Sequence, residues 1–102
     1  MLLYKILTVG QWESSQGKKY LELGAFDHNF IHLAEEDNKE RICKKFFPGQ
    51  EVVILSLETE KLEGNLIKEV NPGGARAYYH LYNGNIPLVA VAHVERRHIE
   101  QD

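Results

Sequence analysis

Hydrophobic residues gather first at 2–9, Leu-Leu-Tyr-Lys-Ile-Leu-Thr-Val, a stretch rich in strand formers and closed by Gly10. Successive strand residues face opposite ways, so Leu3, Lys5, Leu7 and Val9 share one face and Leu2, Tyr4, Ile6 and Thr8 the other. Both faces are mainly apolar, which predicts a strand covered on both sides, with Lys5 the odd residue on its face. A short helix follows over 11–16, anchored by Trp12 and ended by Gly17, then a short extended piece at 20–23 and turns over 24–29. Phe30-Ile31-His32-Leu33 reads as a second strand with Phe30 and His32 on one side.

The stretch 35–47 begins with acids and ends with Lys44-Lys45, the polarity that suits a helix dipole. Ile42 with Phe46, and Cys43 with Phe47, lie four apart and predict an inward stripe; Pro48-Gly49 stops the helix. Residues 51–57 carry four consecutive branched aliphatics, the clearest buried strand in the chain. A strand over 66–70 is expected after a turn at Gly64-Asn65, and Asn71-Pro72-Gly73-Gly74 is a loop. Alternation over 78–82 puts Tyr78, His80 and Tyr82 on one face. Asn83-Gly84-Asn85 is expected to turn the chain into a last strand over 88–94 with small residues inside, and 95–102 reads as a charged, frayed tail. Short strands interleaved with two helices, without regular βαβ spacing, predict an α+β fold.

The 102 residues are enough for one core, so 1–102 is read as a single domain. Twelve basic against fifteen acidic residues leave a formal charge of −3, which disfavours binding to double-stranded nucleic acid. The pairs Lys18-Lys19, Lys44-Lys45 and Arg96-Arg97 are local basic spots open to contact, although such pairs are more often solvated surface. The single cysteine allows no internal disulfide, which fits a reducing, cytoplasmic setting, and Cys43 reads as a half-buried structural thiol. No apolar run is long enough for a signal core or a membrane span, so no membrane partner is expected.

The five histidines, at 28, 32, 80, 93 and 98, lack the local spacing of a metal site, and no metal is expected. His93 reads as a core or rim residue. Lys5, His32 and His80 interrupt otherwise apolar or aromatic faces, and each requires a partner, a neutral state or a cleft. Taken singly, a sheet-edge position or a backbone hydrogen bond would satisfy each; taken together, they fit a shared polar cleft equally well. In such a cleft, burial and a nearby histidine would both lower the Lys5 pKa.

Leu3-Tyr4, Trp12, Phe30-Ile31-His32-Leu33, Phe46-Phe47-Pro48-Gly49-Gln50, the aliphatic run 52–57, Glu69, His80-Leu81-Tyr82 and Ile86-Pro87-Leu88 resemble, in this order, the family known as domain of unknown function 952. The likeness runs from residue 2 to about 94. It implies an ADP-ribosyltransferase-like fold, two small mainly antiparallel sheets with two to three helices around one cleft, distantly similar to the NAD-using RNA 2′-phosphotransferases. The cleft would lie between the first two strands and receive an NAD-like nucleotide. Several positions depart from the family pattern. Its Tyr-His is Tyr4-Lys5 here, its acid ahead of the second strand falls on His28, and Arg76 and Tyr79 replace an acid and a proline.

Two functions follow from the resemblance. One is a module that binds a small nucleotide or anion and carries a degenerate catalytic motif, with Tyr4, Lys5, Tyr78, His80 and Tyr82 around the ligand. The other is an enzyme that transfers ADP-ribose or a phosphate-linked group from an NAD-like donor. There His32 would orient a ribose, Lys5 would meet the pyrophosphate and Glu69 would support an oxocarbenium-like centre.

Overall fold

The run at the start of the chain forms β1, Leu2–Thr8, whose register against β3, Glu51–Glu58, sets Leu3 opposite Leu57, Lys5 opposite Leu55 and Leu7 opposite Val53. A computed structural model describes residues 1–71 and 73–101. With β6, Val91–His98, these strands make an antiparallel sheet in the order β1-β3-β6. A second antiparallel sheet has the order β2-β5-β4, from Ile31–Leu33 (β2), Glu63–Val70 (β4) and Ala77–Asn85 (β5). Helices α1, Val9–Ser15, and α2, Lys39–Phe46, complete the α+β fold, and a 3-10 turn at Ala25–Asp27 leads into β2.

Both faces of β1 are covered, as its apolar pattern requires. Leu3 and Leu7 pack with Val53, Leu55, Ile31, Leu33 and Leu81 between the sheets, while Tyr4, Ile6, Val52 and Ile54 pack with Cys43 of α2 and Ile99. The edges of the two sheets meet where Tyr4 and Ala34 exchange backbone hydrogen bonds of 2.9 and 2.8 Å. Thr8 starts α1 through a capping box with Gln11. α2 is shorter than its sequence suggested because the Asn38 side chain accepts from the Glu35 N–H at 2.8 Å, holding 35–38 in turns.

Several expectations are corrected. Gly64-Asn65 and Asn83-Gly84-Asn85 are not turns; both lie inside strands, at a register shift between Glu63 and Asn65. There the backbones approach so closely that a Cβ on Gly84 would lie 1.7 Å from the Glu63 carbonyl oxygen, so the glycines mark a bulge. Residues 95–98 continue β6 rather than fraying. Arg97 reaches both Glu95 and Glu40 of α2, and Ile99, 4% exposed, is tied to Gln50 and Gly49 by backbone hydrogen bonds.

Cys43 is fully rather than half buried, Phe46 points outward at 49% exposure instead of into the stripe, and His93 stands exposed on the edge strand β6. Pro72 of the loop and Asp102 of the tail lie outside the described residues. Among the described residues no helix is long and apolar enough to cross a membrane.

Candidate functional site

Lys5 projects from β1 into the space between the sheets, among leucines, where an unpaired ammonium would be costly. Its Nζ donates to Asp27 Oδ1 at 2.8 Å and to the His32 carbonyl oxygen at 2.9 Å, and the Lys5 and Asp27 side chains are only 7% and 6% exposed. The same Asp27 oxygen accepts from the His32 backbone N–H at 2.9 Å and lies 3.1 Å from His32 Nδ1.

Burial pushes the Lys5 pKa down, and Asp27 offsets this only in part. The direction is the expected one, but the neighbour that matters is a carboxylate opposing the shift rather than a histidine adding to it. Burial also pushes the Asp27 carboxyl up, but the His32 hydrogen bonds and the Lys5 charge outweigh it and hold Asp27 below the ordinary range. Asp27, one residue before His28, is thus the acid that stands ahead of the second strand and meets Lys5.

Lys5, Asp27 and His32 line one cleft of about 750 Å³, bounded by β1, β2, α2 and the segment after β4. Its walls include Tyr4, Phe26, Phe46 and Tyr78. Phe26 stacks on the His32 imidazole at 4.3 Å, Phe30 packs against the same ring at 4.7 Å, and Phe26 lies 5.8 Å from Phe46. Three cations also line the cleft. Arg76 is paired with Asp37 at 2.6 Å, whereas Arg41 donates to the Tyr78 hydroxyl at 2.8 Å and, like Lys45, has no carboxylate partner among the described residues.

A second polar cluster lies beside the cleft. His80 stands opposite His32 in register, with ring centroids 5.5 Å apart. Its Nδ1 is 2.7 Å from Glu69 Oε2, which also accepts from the Tyr82 hydroxyl. Hydrogen bonds from Tyr82 and then His80 hold Glu69 below the usual carboxylate range, and Glu69 in turn raises the Tyr82 phenol. His80 is 1% exposed, covered by Phe30 at 4.2 Å, and its Nε2 has no hydrogen-bond partner among the described residues.

Of the residues named from sequence, Tyr4, Lys5, His32 and Tyr78 thus line the cleft, while Glu69, His80 and Tyr82 form the adjoining cluster outside its lining. Phe26, Asp27 and Arg41 were not named, and Lys45 was named only as half of a basic surface pair. The one sequence signal for Asp27 was the need of a buried Lys5 for a carboxylate. No group of three or more His, Cys, Asp or Glu side chains among the described residues could hold a metal ion.

Residues 6–94 match the family model described as Protein of unknown function (DUF952). Among solved structures, the chain is similar to the crystal structure of protein CC0527 from Caulobacter crescentus. Identity is 30% and the TM-score 0.81, over 94% of this chain and 85% of that one. It is also similar to the solution NMR structure of CC0527, with 31% identity and a TM-score of 0.71 over 92% and 82% of the two chains. No curated protein matches the chain.

Proposed function

The chain belongs to the DUF952 family, and we propose that it binds a small, flat anion, a nucleotide or comparable phosphate compound, in the cleft between β1, β2 and α2. The observation that carries this reading is the pairing of aromatic walls with unneutralised cations. Tyr4, Phe26, Phe46 and Tyr78 offer rings for a planar group, and Arg41 and Lys45 bring positive charge that no described carboxylate cancels. Lys5, whose ammonium already serves Asp27 and the His32 carbonyl, acts as a support for the site rather than as a free contact for phosphate. The buried thiol of Cys43 accords with a reducing, cytoplasmic setting.

A second reading has one observation in its favour. A buried carboxylate beside His32 Nδ1 is an arrangement that orients imidazoles in enzymes, so transfer of ADP-ribose from an NAD-like donor on an ADP-ribosyltransferase-like scaffold is the alternative. Both readings are tested by thermal unfolding with millimolar NAD, ADP-ribose or phosphate. A ligand at about 100 times its Kd adds about 2.7 kcal/mol, which raises Tm measurably, and Arg41→Ala and Lys45→Ala should abolish the rise. No shift with any of the three would remove both readings. Release of nicotinamide seen by mass spectrometry and lost in His32→Ala selects the enzyme, and binding without release selects the module.

A further inference from the structure

His32 is held more firmly than a ligand contact requires. Phe26 stacks on its ring and Phe30 packs tilted against it, its backbone N–H is tied to Asp27 Oδ1, and its Nδ1 stands 3.1 Å from the same oxygen. Asp27 is in turn fixed by Lys5 at 2.8 Å. A neutral imidazole beside an ionised carboxylate carries its proton on Nδ1, which leaves the Nε2 lone pair as an acceptor. The side chain is 31% exposed and lines the cleft, so with the two phenyl rings against it and the Nδ1 side engaged, the Nε2 edge is the part left to meet a ligand.

We propose that His32 is a general base that activates water against a phosphodiester held in this cleft, with Asp27 and Lys5 as positioning residues. The proposal rests on the reading of the cleft as an anion site and adds a reaction to it. Water attacks phosphorus as its proton passes to Nε2. The new P–O bond forms as the bond to one ester oxygen breaks, and the leaving oxygen either takes the proton back from the imidazolium or departs as an anion while the imidazolium returns its proton to solvent. The products are a phosphomonoester and an alcohol or phenol, and no other reactant is needed. A diester suits the site because the nucleophile has to be activated, and because Arg41 and Lys45 can spread the charge that grows on the two non-bridging oxygens.

The probe is bis(4-nitrophenyl) phosphate, with nitrophenolate release followed by absorbance. Saturable turnover is expected, falling about 10²- to 10⁴-fold in His32→Gln, the usual range for loss of a general base. The titratable groups around His32 are Asp27 from the 3-10 turn and His80 from β5, which face the ring, and Lys5 from β1, which meets the His32 carbonyl. kcat/KM should rise with pH on one ionisation that Asp27→Asn displaces and His32→Gln removes.

Independently of turnover, nitrogen NMR of the folded wild-type protein should find neutral His32 protonated at Nδ1. Wild-type hydrolysis no faster than that of His32→Gln, or a neutral ring protonated at Nε2, would overturn the proposal. The anion reading is judged separately, by the Tm shift with the non-cleavable probe diphenyl phosphate. A shift without hydrolysis keeps the anion cleft and rejects the general base. Hydrolysis that requires His32 but is indifferent to Arg41→Ala and Lys45→Ala supports the base and rejects the anion site.

Discussion

Replacing Asp27 by asparagine tests whether the Lys5 ion pair holds this corner of the fold. The amide keeps the shape and one acceptor oxygen but removes the charge, leaving an ammonium that is 7% exposed between the sheets. Two estimates bound the cost. Breaking a buried pair by removing one partner costs about 3–5 kcal/mol. The lysine can instead release its proton, which at pH 7 costs about 5 kcal/mol, at about 1.36 kcal/mol for each unit below its ordinary 10.5. A loss of about 3–5 kcal/mol is therefore expected, a large share of the ~5–15 kcal/mol that typically holds a domain together.

The pH dependence carries a sign. If Lys5 is neutral in the folded variant but protonated in the unfolded chain, the unfolded state binds more protons, and stability rises with pH up to 10.5. In the wild type Asp27 keeps the proton on Lys5 to higher pH, so this rise starts later. The gap between the two proteins should narrow as pH rises from about 7 toward 10.5, by at most ~1.36 kcal/mol for each pH unit over which only the variant gains. On the acid side the wild type has a loss of its own. The depressed Asp27 carboxyl contributes stability above its unfolded value of 3.8, and that contribution disappears as pH falls through the folded value, a loss the asparagine variant lacks. Urea unfolding followed by circular dichroism across this range measures all of it. A loss below about 1 kcal/mol at pH 7, or a gap that does not change with pH, would refute the ion-pair account.

Gly84→Ala should destabilise the protein by about 3 kcal/mol, the upper end for overpacking, because its Cβ would fall 1.7 Å from the Glu63 carbonyl oxygen. Gly17→Ala meets nothing within 4 Å and should cost only its positive φ, about 1 kcal/mol; chemical denaturation that found the two equal would remove the bulge argument. Cys43 should resist thiol reagents in the native protein, since burial raises its pKa and hides it, and its labelling rate should track global unfolding; fast native labelling would contradict this.

What could be read from the sequence was whatever repeats locally. The aliphatic runs of β1 and β3 gave strands and faces, and Pro48-Gly49 gave the end of α2, because neighbouring residues alone decide those features. Asn83-Gly84-Asn85 has the composition of a hairpin turn, yet it lies in β5, because Gly64 on the neighbouring strand provides the matching close approach, and that pairing joins residues 20 apart. Asp27 was hidden for a similar reason. A turn-rich stretch says nothing of a lysine 22 positions earlier, and only the bonded geometry joins them. Arg41 and Lys45 were part of a helix whose charges suited its dipole, and their place on the cleft depends on how α2 lies against β1 and β2. Phe46, expected inward, faces that cleft for the same reason.

Lys5 links these levels. A lysine on the inter-sheet face of β1 is tolerable only with a carboxylate at hand, and the carboxylate comes from the segment between α1 and β2. Once Asp27 is drawn to Lys5, its neighbour Phe26 is set over the His32 ring, and the bond from Lys5 to the His32 carbonyl fixes the start of β2 against β1. The charge that breaks the apolar pattern of the first strand therefore organises the wall of the cleft. Methionine at that position would fill the space and spare its desolvation, but it would free Asp27 and the loop around it. Lys5→Met should then leave the stability nearer to that of the wild type than Asp27→Asn does, because the released carboxylate still accepts from the His32 N–H, while the unpaired ammonium stays rooted in β1. The same change should weaken ligand binding in the cleft, so the two substitutions separate what the pair does for the fold from what it does for the site.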